Sequence, residues 1–301
     1  MKIGCIGLGD IAQRAYLPVL ATRPGAELHL YTLTPATLAR TAAAYHVPDG
    51  RCHGSLDGLL AAGIDAAFVH SPTSVHAGTV TRLLEAGIAT YTDAPLAYRI
   101  EDSRRLVELA ESHSVSLCAG FSRRFAPAYA QCLDHPRELI LMQKNRTGLP
   151  GNPRTLIFGD FIHVADTLRF LLPGPAGHIG VRARIRDELM HHAVLQLSGD
   201  GFTAIGMMNW MNGSTEEILE VSGQETKRQV LNLADVIDHK GQPSIRRRGD
   251  WVPPARQRGI EQAVSAFLDA LAAGRTLSAR DALKTHELCE KVVEDALRQA
   301  A

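Results

Sequence analysis

Over residues 1–120, short apolar runs alternate with stretches of helical periodicity. The runs at 2–6, 27–32, 65–70, 88–92 and 115–119 are nearly continuous in apolar residues, as strands buried on both faces require. Between them, residues 10–21, 35–45, 75–86 and 101–113 repeat apolar positions at helical spacing. Pro35 opens the second of these helices and Gly87 closes the third. Strands separated by helices predict a parallel sheet with right-handed crossovers. After Phe125 the pattern changes. A short helix, a strand at 138–144, a Gly/Pro-rich loop at 148–153 and a helix at 159–172 come first. From 179 to 247 strand patterns follow one another, broken by Ser198-Gly199-Asp200-Gly201, Asn212-Gly213, Ser222-Gly223 and Lys240-Gly241. Such turns link antiparallel strands as hairpins. Helices at 256–273 and 279–299 close the chain. The expected fold class is α/β: an N-terminal doubly wound domain over 1–122, then an α+β domain over 123–301 with an open antiparallel sheet.

Composition narrows the function classes. Lysine plus arginine equals aspartate plus glutamate, 32 each, so the net charge is zero and a nucleic-acid partner is not expected. Arg246-Arg247-Arg248, beside Gly249, reads as a solvated loop. The five cysteines form no C-x-x-C pair and are odd in number, which fits reduced thiols in a cytoplasmic protein. The N-terminus runs directly into a strand without a signal-peptide pattern, and no apolar stretch is long enough for a membrane span.

The local motif with the clearest chemistry is Gly7-Leu8-Gly9-Asp10-Ile11-Ala12, a G-x-G-x-x-A turn between the first strand and the first helix. Its glycines allow a tight turn and close approach to a pyrophosphate. Ala12 allows close helix–strand packing, and the helix N-terminus offers free N–H groups to phosphate. The doubly wound domain is therefore read as a Rossmann domain for NAD or NADP. The second strand ends in Tyr31-Thr32-Leu33-Thr34, with no acid to bind a ribose 2′-hydroxyl. That tilts the choice towards NADP. Thr32, Thr34 and Arg40 could meet a 2′-phosphate, and capping of the second helix is the equal alternative for the threonines.

These segments, with several others in order, resemble the Gfo/Idh/MocA family of NAD(P)-dependent oxidoreductases, closest to its MviM-like branch. The resemblance rests on GLGDIAQRAYLPVL, His70-Ser71-Pro72-Thr73-x-x-His76, Asp93-Ala94-Pro95-Leu96-Ala97-Tyr98, Gly120-Phe121-Ser122-Arg123-Arg124-Phe125 and Asp160-Phe161-Ile162-His163-x-x-Asp166. It implies hydride transfer at a hydroxyl- or carbonyl-bearing carbon of a sugar, cyclitol or secondary metabolite. It also implies a homo-dimer or tetramer formed through the C-terminal sheet. Cofactor contacts are implied for Ser71, Pro72, His76, Asp93 and Pro95, beside Gly7, Gly9, Asp10, Ile11 and Ala12. For His76 a structural role is the equal alternative.

Two positions depart from the family pattern. Where the family carries a proton-donating lysine, this chain has Ala94, and where it often carries an aspartate four residues before its histidine, this chain has Gly159. His163 then becomes the candidate acid–base group, flanked by Asp160 and Asp166, each three residues away, which are expected to raise its pKa. Asp166 has a substrate contact or the orienting of His163 as alternatives. Lys144 and Arg146 share one strand face. Lys144 is a candidate substitute for the missing lysine, Arg146 a candidate for binding an anionic substrate, and an exposed strand end the equal alternative for both. Arg123 and Arg124 lie at the ligand-binding end of the first sheet. One, taken as Arg124, is expected at substrate with Tyr98, and the other in an interdomain ion pair. His191 and His192 point to opposite faces of a strand, and no metal is expected. Four readings stay open: an oxidoreductase with a rearranged proton relay, a non-redox cyclase, lyase or isomerase, a catalytically silent binding protein, and a Lys→Ala variant of a working enzyme.

Overall fold

The structure is a computed structural model that describes residues 1–300. Six strands form the first sheet: β1 (Lys2–Ile6), β2 (Glu27–Tyr31), β3 (Cys52–His53), β4 (Ala66–Val69), β5 (Ala89–Thr92) and β6 (Leu117–Ala119). All pair in parallel, in the order β3-β2-β1-β4-β5-β6. The central strands are buried along their length, as their unbroken apolar runs require. The two-residue edge strand β3 was not expected, because so short a segment carries no periodicity.

Eight strands form the second sheet: β7 (Leu139–Asn145), β8 (His178–Arg186), β9 (Leu189–Gly199), β10 (Phe202–Asn209), β11 (Glu216–Gly223), β12 (Thr226–Leu231), β13 (Asp235–Lys240) and β14 (Gln242–Arg246). Their order is β14-β13-β12-β11-β7-β10-β9-β8. The expectation of a purely antiparallel sheet needs one correction, since β7 and β10 pair in parallel. β7 precedes the hairpin series and inserts at its centre, which no local turn signal could reveal. Ile140 and Met142 of β7, Ala204 and Gly206 of β10, and Leu219 and Val221 of β11 lie in matched rows. The helix Ile162–Leu171 covers these rows. It sits close because a Cβ on Gly206 would fall 2.5 Å from Val164 and 2.8 Å from Leu168.

The domain boundary also differs from the expected split. One unit is Met1–Gly120 with Ile260–Leu283, and the other is Phe121–Gly259 with the segment from Lys284 onward. The helix Ile260–Ala272 belongs to the first unit because its apolar face serves that core: the Phe267 ring meets Phe68 edge-on at 5.5 Å. Further on, the backbone N–H of Leu117 in β6 donates to the Leu277 carbonyl. No helix among the described residues is long and apolar enough to cross a membrane.

Candidate active site

The first unit gathers its candidate residues at the carboxyl ends of the parallel strands, where ligands of such sheets bind. Gly7 has φ +84°, and a Cβ there would lie 2.6 Å from the Ser71 nitrogen and 2.7 Å from the His70 carbonyl carbon. Only glycine lets the β1 turn rest against the end of β4. Gly9 has open space where a side chain would be, as a backbone cradle for phosphate needs. Ala12 is fully buried, and Ala12–Tyr16 forms a π turn within the helix after the glycine turn. Asp10 spends its carboxylate on Arg14 at 2.6 Å, so its backbone is what it has left to offer a phosphate.

At the next strand ends, His70 Nδ1 lies 2.9 Å from Asp93 Oδ2. His70 Nε2 and the Ser71 hydroxyl are buried without a hydrogen-bond partner. Buried polar atoms are normally satisfied, so two orphans beside a glycine turn mark a place where a ligand completes the structure. Exposed Ile11, Leu33 and Val75 add apolar surface to the same unit. These features fit a nicotinamide dinucleotide. Thr34 stands at the N-cap of Pro35–Ala44 with no side-chain bond to the helix, so the capping alternative does not account for its hydroxyl.

His76 is buried, with Nδ1 2.9 Å from the Pro95 carbonyl and Nε2 2.8 Å from the Ser71 carbonyl, so it ties two loops together, as its structural alternative requires. Ala94 and Pro95 are joined by a cis peptide bond, and Tyr98 follows half-buried.

The second unit holds a dense charged cluster. Lys144 continues the inward-facing row of Ile140 and Met142, so its side chain enters the core and is 4% exposed. The exposed-strand-end alternative is therefore excluded for Lys144. Its ammonium donates to the Asp160 carboxylate and, at 3.3 Å, to the Asp160 carbonyl. Burial, then the charge of Arg123, outweighs Asp160 and brings Lys144 down to about 8. Arg146 donates twice to the same carboxylate, both at 3.1 Å. Directly across the strand pair from Lys144 stands Glu217 of β11. Arg123 grips Glu217 through two bonds of 2.8 Å, and the Tyr129 hydroxyl adds a third at 3.0 Å. Burial pushes the Glu217 carboxyl up, but the Arg123 charge and bonds hold it at about 2.

His163 corrects the expectation of a raised pKa. Neither aspartate serves it. Asp160 belongs to Lys144 and Arg146, and Asp166 accepts 2.8 and 2.6 Å bonds from Arg124 plus one of 2.9 Å from Thr285. The π turn Ile157–Phe161 widens the helix just before Ile162–Leu171, so ordinary i,i+3 spacing does not carry across it. Burial and then the charges of Arg123, Lys144, Arg258 and Arg146 hold His163 well below its ordinary range. It is a neutral imidazole at neutral pH, partly exposed, and its ring makes no hydrogen bond to any described residue.

The expected substrate contacts Arg124 and Asp166 bind each other, Asp166 buried and Arg124 half-buried. Both arginine ion pairs lie within the second unit, in place of the expected interdomain bridge. Sequence reasoning missed His70, Glu217 and Arg258 as members of these clusters. Only the distant pairing of β7 with β11 brings Glu217 to Lys144. For Arg258 a signal existed in the following Gly259, whose φ is +78° and whose Cβ would lie 2.1 Å from the Ser122 carbonyl. Among the described residues no group of His, Cys, Asp and Glu could hold a metal ion.

This arrangement matches known proteins along the whole chain. The family described as an oxidoreductase family with an NAD-binding Rossmann fold, GFO_IDH_MocA, matches residues 1–121. The Salmonella typhimurium protein YceM is 31% identical over 279 residues, covering 90% of this chain and 89% of that one. A Gfo/Idh/MocA family oxidoreductase from Vibrio cholerae superposes with a TM-score of 0.92 at 31% identity, covering 100% of this chain and 99% of its own. The dehydrogenase MviM from Clostridium difficile gives the same TM-score at 26% identity, with 98% and 99% covered. The chain belongs to the Gfo/Idh/MocA oxidoreductase family.

Proposed function

We propose that the chain is an NAD(P)-dependent oxidoreductase that interconverts a hydroxyl and a carbonyl on a polyol or sugar, with Lys144 as the proton-transfer group in place of the lysine missing at Ala94. The observation that carries this reading is the buried Lys144, held at about 8 and hydrogen-bonded to Asp160. A proton donor works best with a pKa near the operating pH. Family relatives named as inositol dehydrogenases make cyclitols the first substrates to try.

A bound nicotinamide cofactor supplies the hydride acceptor or donor. In the oxidising direction, neutral Lys144 takes the hydroxyl proton as the carbon gives up hydride and the C=O bond forms. In the reducing direction, the ammonium returns that proton to the oxygen. Asp160 fixes the direction of Lys144, and neutral His163 offers a hydrogen bond to the reacting oxygen. NADP is preferred, because no carboxylate at the end of β2 opposes a 2′-phosphate and Thr32 and Thr34 stand there instead.

The non-redox alternative draws on Ala94 and Gly159. The change Ala94→Lys separates the readings. With Lys144 already supplying the proton, turnover is expected to change by less than about tenfold. A gain of about 10²-fold or more, the size of a restored general acid, would mean that the chain is a disabled dehydrogenase. Substrate conversion without NADPH or NADH turnover would establish the non-redox reading.

A further inference from the structure

We infer that Arg258, with Arg146, holds an oxyanion group of the substrate, a carboxylate or a phosphate, in the cavity that Lys144 lines. The inference rests on the reading of that cavity as the substrate site. The cavity has a volume of about 120 Å³, and its wall includes Lys144, Arg146, Arg258, Glu216 and Glu217.

The charge pairing in and around this cavity leaves one cation over. Arg123 takes Glu217, and Lys144 and Arg146 share the single carboxylate of Asp160. Glu216 accepts from Asn145 at 2.9 Å and from Asn212 at 3.2 Å. Among the described residues, the Arg258 guanidinium has neither an ion pair nor a hydrogen bond. It is exposed, so a small molecule can reach it.

Its place is enforced. Gly259 packs its bare α-carbon against the Ser122–Phe125 turn, where a Cβ would fall within 2.1–2.6 Å of three backbone atoms. That turn also carries Arg123, so Arg258 is held near a second guanidinium. Gathering cations raises the local positive potential, which an arriving anion relieves. A planar guanidinium grips carboxylate or phosphate with two parallel bonds.

The test is binding to the whole chain at low ionic strength, by calorimetry and thermal shift. The probes are D-glucuronate, D-glucose 6-phosphate and neutral D-glucose. At least one of the two anions is expected to bind at least about tenfold more tightly than glucose, and which one does so separates carboxylate from phosphate. Arg258→Met removes that preference and Arg258→Lys keeps part of it. Should Arg258→Met not fold, the anion–glucose comparison and Arg258→Lys decide. Equal binding of anions and glucose overturns the inference. So does anion binding that survives in Arg258→Met, which would belong to another site such as the glycine turn. No step requires hydride transfer, so a chain without redox activity could still pass, and an active enzyme could still fail.

Discussion

Replacing Lys144 with methionine is expected to lower turnover by about 10²–10⁴-fold, the usual cost of losing a positioned proton donor. The methylene stem is kept, Asp160 retains Arg146, and a buried ammonium is removed, so folding should not suffer. The pH dependence gives the sharper readout. Lys144 titrates at about 8, so oxidation of a polyol should rise with pH and level off above that value, where the amine is neutral. Reduction should run the other way, constant below about 8 and falling above it, as the ammonium is lost. Both inflections should vanish in Lys144→Met. A variant that keeps the wild-type rate and profile would remove Lys144 from the reaction.

The largest loss of stability is expected from Arg123→Met. Arg123 and Glu217 are 7% and 6% exposed and joined by two bonds. Breaking a buried pair from one side strands a charge and costs about 3–5 kcal/mol. The sign with pH follows from Glu217. In the intact protein its carboxyl is held at about 2, below the ordinary 4.5. That stabilisation is present above about 4.5 and fades as pH falls towards 2. The variant lacks it throughout, so the gap in urea unfolding free energy between the two proteins should be widest near neutral pH and narrow in acid. An equal gap at about pH 7 and about pH 2.5 would assign the loss to packing instead of charge.

What could be read in the sequence follows the range of the interactions. The parallel sheet and the glycine turn were legible because each depends on residues close along the chain: an apolar run, a turn, a helix. Gly7-x-Gly9 signals a phosphate cradle by spacing alone. Lys144 was singled out by type and strand position, but its burial was not visible. That depends on Ile140 and Met142 facing the helix Ile162–Leu171, and on Gly206 letting the helix settle there. The partners of Asp160, Asp166 and His163 were misjudged for one reason. Spacing on a helix suggested that they served each other, whereas arginines and a lysine from elsewhere in the second unit claim the two aspartates. The helix Ile260–Ala272 was likewise placed by chain order, although its Phe267 packs among the aromatic rings of the first unit.

Direct titration with NADPH and NADH tests nicotinamide-dependent redox chemistry most simply. Calorimetry on the purified chain should show saturable binding of one dinucleotide with a dissociation constant well below about 1 mM, the upper end of ordinary KM values, and NADPH should bind more tightly than NADH. Failure of both to bind at that concentration would contradict the oxidoreductase reading and leave the Lys144 cluster to chemistry that needs no nicotinamide.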